Sequence, residues 1–191
     1  MFLLSEFKYL VIDNFYGNID EVRKYALSLD YTVKGNYPGI RTESATGLNG
    51  EVKEAINYLF KNNIIENEWD TQYNGSFQSI IEGEETWVHA DSNNDLNAIL
   101  YLSENPPLDC GVSFYRELNY GSRSLDELND KEHNNLVENG FNWEEETFIP
   151  GSYNRMVIFN SKLWHCGKGF FGDSLYNSRL TQCFFICFEE N

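Results

Sequence analysis

The chain is poor in positive charge and in histidine. Its 191 residues carry 14 Lys and Arg against 30 Asp and Glu, a formal net charge of −16. A surface that acidic repels phosphate backbones and anionic bilayers, so neither nucleic acid nor a membrane surface is an expected partner. No run approaches the roughly eighteen apolar residues that a bilayer span requires. Met1 to Leu4 has neither a basic region nor a long apolar one, so no signal peptide is expected and the expected location is the cytoplasm. The four cysteines, Cys110, Cys166, Cys183 and Cys187, lack the paired spacing of a zinc site. Cys183 and Cys187 fall four apart on an expected strand, hence on one side. All four read as buried free thiols of a reducing compartment, with Cys166, beside His165, the thiol expected near chemistry. Internal repeats, low-complexity linkers and a Ser-His-Asp or Cys-His nucleophile arrangement are all lacking.

What is present is globular and β-flavoured: 41% hydrophobic and 16% aromatic residues, with 12 Tyr and 14 Phe. The length suits one domain, 1–191. Residues 1–72 are expected to form a helical support. A helix follows the capping signal Asn18-Ile19-Asp20 and carries Val22, Tyr25, Ala26 and Leu29 at helical spacing. A second spans Glu51 to Asn62, with Val52, Ala55, Ile56, Leu59 and Phe60 on one face. Between them Tyr37 to Thr42 reads as an ordered loop or short strand. Residues 73–191 turn to short β segments: Gly75–Glu82, Thr86–Asp91, Asn97–Ser103, Gly111–Arg116, Glu146–Pro150, Arg155–Asn160, Leu163–Gly167 and Arg179–Glu189. Eight strands without alternating helices predict a mainly β fold with N-terminal helices, its core a jelly roll (double-stranded β-helix). Residues 117–145 interrupt the series with polar sequence and a short helical stretch, Ser124 to Asn139, as a functional loop or lid would.

The few histidines are placed economically. Of three, His133 sits in the insertion, while His89 opens His89-Ala90-Asp91 and His165 falls on the seventh β segment. His89 and Asp91, two apart on an extended chain, point to one face. In a jelly roll the second and seventh strands pair, which brings His165 to the same mouth. Two imidazoles and one carboxylate leave three positions open on an octahedral ferrous ion. Arg179, opening the eighth strand, is placed to hold the far carboxylate of a dicarboxylate co-substrate.

Residues 75–189 resemble the Fe(II)/2-oxoglutarate-dependent oxygenase superfamily, most nearly its prolyl-4-hydroxylase-like and small phage or bacterial members. Trp87-Val88-His89-Ala90-Asp91 resembles the first ligand strand. Asn97 to Ser103 resembles the next, whose tyrosine (here Tyr101) helps bind 2-oxoglutarate in many relatives. Cys110 to Tyr115 is similar to a Gly-Gly-x-x-x-Phe segment with Cys110 replacing the first glycine. Asn154 to Phe159 resembles the strand leading to the distal histidine, and Arg179-Leu180-Thr181 the co-substrate clamp. The resemblance implies His89, Asp91 and His165 as iron ligands and Arg179, Thr181 and Tyr101 as co-substrate contacts. Fe(II), 2-oxoglutarate and O2 would take part, with ascorbate as an optional reductant. The implied reaction is hydroxylation of a small metabolite or a protein side chain, coupled to decarboxylation of 2-oxoglutarate to succinate.

Around the mouth, Gln78 and Ser79 on the first core strand could contact co-substrate or substrate, and Arg41 and Arg116 could contact an anionic substrate. Trp87 and Trp164, each next to a ligand in sequence, are expected to face away and pack in the core. The run Glu144-Glu145-Glu146 is expected to be a solvated face. Two other readings stay open: a cupin-like metalloprotein that does not use 2-oxoglutarate, and a non-catalytic jelly-roll binding module. Cupins usually bring more histidines to the metal than this chain has. The insertion 117–145 and the Tyr37–Thr42 loop are expected to shape substrate choice.

Overall fold

The computed structural model describes residues 6–45, 49–61, 69 and 74–189. Met1 to Leu4, Asn62 (the expected end of the second helix) and the expected boundary at 72/73 lie outside these. In chain order the elements are β1 (Tyr9–Ile12), α1 (Ile19–Leu27), β2 (Ile40–Arg41), α2 (Asn49–Phe60), β3 (Ser76–Ile80), β4 (Leu96–Tyr101), β5 (Gly111–Glu117), α3 (Asp130–Asn139), β6 (Trp143–Pro150), β7 (Met156–Asn160), β8 (His165–Lys168) and β9 (Arg179–Ile186). A 3-10 turn, Leu125–Glu127, precedes α3. None of the described helices is long and apolar enough to cross a membrane.

The strands form two antiparallel sheets, a large one in the order β1-β7-β4-β9-β3-β2 and a small one in the order β6-β5-β8. From β3 onward the chain passes back and forth between them, so each sheet is built from strands distant in sequence. The period-2 alternation of the large sheet divides its residues between two apolar layers. Leu96, Leu100, Met156, Ile158, Leu180 and Phe184 face outward onto Val22 and Ala26 of α1 and Val52 and Ile56 of α2. Tyr101, Val157 and Phe159 face inward onto Val112, Phe114 and Ile149 of the small sheet. The candidate site lies beside this inner layer, whose Val112 and Phe159 also line its cavity.

Several expectations change. Thr86–Asp91 is not a regular strand. Only His89 makes a bridge, antiparallel to His165, with His89 N donating to His165 O at 3.0 Å and His165 N to His89 O at 2.8 Å. Residues 1–72 hold the two expected helices and also supply β1 and β2 to the large sheet. Asn18 stands before α1 without a side-chain cap. The capping box belongs to α3, where Asn129 accepts from the Lys131 and Glu132 amides and the Glu132 carboxylate accepts from the Asn129 amide. The insertion is not a lid over the mouth. Its Phe141 stacks on Trp143 (5.0 Å between ring centres), and both pack on Trp164 against the outer face of the small sheet.

Candidate functional site

The bridge between His89 and His165 sets two imidazoles side by side, ring centres 4.4 Å apart. Each ring is oriented through its Nδ1, against Trp87 O at 3.1 Å for His89 and Leu163 O at 2.8 Å for His165. A carbonyl accepts only, so Nδ1 carries the proton and Nε2 offers its lone pair. Both Nε2 atoms point at the carboxylate of Asp91, 4.0 Å from Oδ1 for His89 and 3.9 Å from Oδ2 for His165. One donor atom from each of the three lies within 4.8 Å of the others. Burial, reinforced by His89 and opposed by Asp91, holds the pKa of His165 down to about 4, so its ring is neutral and ready to bind at neutral pH.

Asp91 is oriented in turn. Asn97 Nδ2 donates to Asp91 Oδ2 at 2.7 Å, and Asn94 Nδ2 donates to Asn97 Oδ1 at 2.7 Å. This carboxamide relay is absent from the sequence reading. Asn97 opens the expected strand 97–103, but nothing in its residue type announces that it turns back to Asp91.

A cavity of about 110 Å³ leads inward from the triad, walled by Ile80, Ile99, Val112, Phe159 and Phe170, with Arg179 among its lining. Arg179 is 3% exposed, its Nε has no hydrogen-bond partner, and its Nη2 makes a long hydrogen bond to Gly111 O at 3.5 Å. No carboxylate pairs with it among the described residues. Gly167 lies beside it, where a Cβ would be in ordinary contact, 3.6 Å from Arg179 Nη2. Tyr101 stacks on the guanidinium, 5.2 Å from ring centre to Cζ, and its hydroxyl is buried without a partner. Burial pushes that phenol up to about 12, against the Arg179 charge.

The remaining expected site residues divide. Thr181 is buried between Arg179 and Cys183 on one face of β9, opposite Tyr101 in register, and contacts Cys183 Sγ at 3.8 Å; it does not line the cavity. Gln78 does, while Ser79, pointing the other way, bonds Ser178 at 2.8 Å. Arg41 lines the cavity mouth with its Nη2 3.4 Å from Gln78 Oε1. Arg116 does not join the site: it lines neither the cavity nor its mouth and is paired with Glu144 and Glu146. Those two acids, with Glu145 on Lys168, make the acidic run ion-paired rather than free. Trp164 is buried as expected, but Trp87 is 44% exposed because its segment runs along the rim rather than within a sheet. The thiol near the chemistry is Cys183, which lines the cavity; Cys166 points away from His165 to the Tyr115 hydroxyl at 3.3 Å, as strand alternation dictates. Cys187 lies beyond β9, so it shares no strand face with Cys183.

A family of unknown function, DUF6445, matches residues 5–186. The chain belongs to that family. No curated protein matches this DUF6445 chain. Among solved structures it is similar to HygX from Streptomyces hygroscopicus with nickel, 2-oxoglutarate and hygromycin B bound, at 15% identity and a TM-score of 0.56 over 94% of this chain and 82% of that one. It is also similar to a Pseudomonas putida prolyl-4-hydroxylase, at 14% identity and a TM-score of 0.55 over 98% and 96%. A third similar structure is SnoN, a non-heme alpha ketoglutarate dependent epimerase of nogalamycin biosynthesis, at 13% identity and a TM-score of 0.54 over 94% and 77%. At these identities the likeness is one of fold. The DUF6445 chain has the fold of Fe(II)/2-oxoglutarate-dependent oxygenases.

Proposed function

We propose that this protein is an Fe(II)- and 2-oxoglutarate-dependent dioxygenase, a hydroxylase built as one domain on a jelly-roll core. The single observation that carries the reading is Arg179: a buried, unpaired guanidinium at the inner end of a cavity whose mouth holds His89, Asp91 and His165. An uncompensated buried charge costs several kcal/mol, and this chain has 30 acidic residues from which a partner could have come. A ligand carboxylate supplies what the fold withholds. The described residues fit the implied groups: two imidazoles with Nε2 directed inward and a carboxylate as ligands to Fe(II), and a buried guanidinium without an acidic partner.

When bound, Fe(II) and 2-oxoglutarate would couple reduction of O2 to decarboxylation of the 2-oxo acid, giving succinate and carbon dioxide, and to hydroxylation of a substrate C–H bond. His89, Asp91 and His165 would hold the metal, and the Nδ1 bonds to Trp87 O and Leu163 O would keep both Nε2 atoms directed at it. Arg179 would pair with the distal carboxylate through charge-assisted hydrogen bonds, with the Tyr101 hydroxyl as a further donor. Thr181 backs this anchor from the same strand face. The apolar walls from Ile80, Ile99, Val112, Phe159 and Phe170 would exclude water from the reacting centre.

Titration calorimetry of the Mn(II)-loaded protein tests the reading. 2-Oxoglutarate is expected to bind the native chain, and Arg179→Ala to weaken binding at least about 100-fold, the loss of a charge-assisted pair of roughly 3 kcal/mol. With Fe(II), ascorbate and air, succinate should accumulate. If native protein neither binds 2-oxoglutarate nor forms succinate, the reading is wrong.

A further inference from the structure

Arg179 has a counterpart. Arg41, on β2, is 8% exposed, its Nε has no hydrogen-bond partner, and no carboxylate pairs with it among the described residues. Both faces of its guanidinium are near aromatic rings: Cζ is 3.8 Å from the centre of the Tyr37 ring and 5.5 Å from that of Phe185. Rings against the faces satisfy the π surface but not the N–H edge. The edge has only a neutral contact, Gln78 Oε1 at 3.4 Å. The fold is specific about putting the residue there. Gly39 has a φ of 74°, and a Cβ on it would lie 2.2 Å from Ser79 O, so only glycine lets this loop lie against β3.

Arg41 stands at a partition. A second chamber of about 540 Å³ opens outside the triad, walled by Trp87, Asn93 and Asn94. Five residues line both it and the inner cavity: Tyr37, Arg41, His89, Asp91 and Phe185. The outer chamber thus touches His89 and Asp91 without reaching Arg179, and its size lies within the range of small-molecule sites. It has a cation with a free edge at its inner end and an exposed indole at its rim.

Resting on the oxygenase reading, we infer that the outer chamber is the substrate site and that Arg41 selects a small molecule bearing a carboxylate, of about the size of a substituted amino acid. The two arginines then take two different anions: Arg179 the co-substrate's distal carboxylate, Arg41 the substrate's. In a chain of net charge −16, two buried guanidiniums without acidic partners are two sites built for charge brought from outside. Polyanions are repelled by the same net charge, which favours a single small carboxylate over an acidic macromolecule.

The test uses the full chain loaded with Zn(II), a redox-silent ion, and 2-oxoglutarate. N-acetyl amino acids and their matched carboxamides are the probes, and affinities are read by saturation-transfer NMR. At least one acid is expected to bind about tenfold or more tighter than its own amide. Arg41→Gln should erase that preference, and Arg41→Lys, which keeps the charge but not the flat fork, should retain part of it. The acid-against-amide comparison on native protein stands even if a variant fails to fold. The inference is overturned if no acid outbinds its amide, or if Arg41→Gln discriminates as the native chain does. It is also overturned if Arg41→Gln lowers 2-oxoglutarate affinity tenfold, which would assign Arg41 to the co-substrate. If native protein binds no 2-oxoglutarate, the oxygenase reading fails separately, and a preference for acids that depends on Arg41 still marks an anion site.

Discussion

Asp91 sits at the end of a chain of amides: Asn94 fixes Asn97, and Asn97 fixes Asp91, each through a 2.7 Å bond. A carboxylate ligand free to rotate would sample orientations that cannot share a metal with His89 and His165. Replacing Asn97 by Ala is therefore expected to lower Mn(II) affinity about 10- to 100-fold, the usual effect of removing a group that orients a ligand. Calorimetry checks this, and undiminished affinity would show that Asp91 is held by other means. The triad and Arg179 were legible in the sequence because spacing and strand order state them; Asn97 was not, because its partner is set by a turn. Residue chemistry also orders the thiols. Burial raises the thiol pKa of Cys110 and Cys166, and Cys183 is buried too, while Cys187 is half-exposed. Thiolate is the reactive form, so Ellman's reagent should label native protein first at Cys187. Cys187→Ser should remove the fast phase, and a fast phase that survives would show the buried thiols to be reachable.

Between elements, the joint that matters is at Asn154. Its backbone lies at φ 63°, and its side chain donates to Tyr16 O at 2.8 Å and accepts from Tyr16 N at 2.9 Å. The turn before β7 is thereby clipped to the segment before α1. Asn154→Ala removes both bonds and leaves in the left-handed region a residue that tolerates it less well than Asn, a loss of about 3 kcal/mol. Asn154→Gly keeps the backbone region and should lose less. Urea denaturation ranks the two, and equal losses would remove backbone strain from the account. Most core strands were visible as short β segments bounded by turn residues, since a strand buried on both faces reads as a short apolar run. β1 was not, because Tyr9–Ile12 is a run of only four residues. Thr86–Asp91 failed for the opposite reason: its residues look like a strand but lie along a rim where only His89 forms a β-bridge. The insertion's position on the outer face was equally unreadable, because alternation turns Trp164 away from His165 without announcing that Phe141 and Trp143 cover it.

Across the whole molecule the site is a clasp between the layers. The histidines join the rim to the small sheet, and Arg179 belongs to β9 of the large sheet, with Cys110 and Gly111 of the small sheet beside it. Metal alone would tie rim to small sheet, whereas metal with 2-oxoglutarate would tie both to the large one. Ligands that bind only the folded chain stabilise it by mass action, about 2.7 kcal/mol at 100 times the dissociation constant. For a chain of 191 residues that is a rise in Tm of roughly 5 to 10 °C. Thermal melts should therefore climb in two steps, with Mn(II) and then with 2-oxoglutarate added, while 2-oxoglutarate alone does less. His165→Ala should abolish both steps and Arg179→Ala only the second. Mg(II) is the control for the 30 surface and buried carboxylates together, since it disfavours imidazole ligands and should give little of the first step. A Mg(II) rise equal to that with Mn(II) would trace the stabilisation to diffuse acidic charge rather than to the His89, Asp91 and His165 clasp.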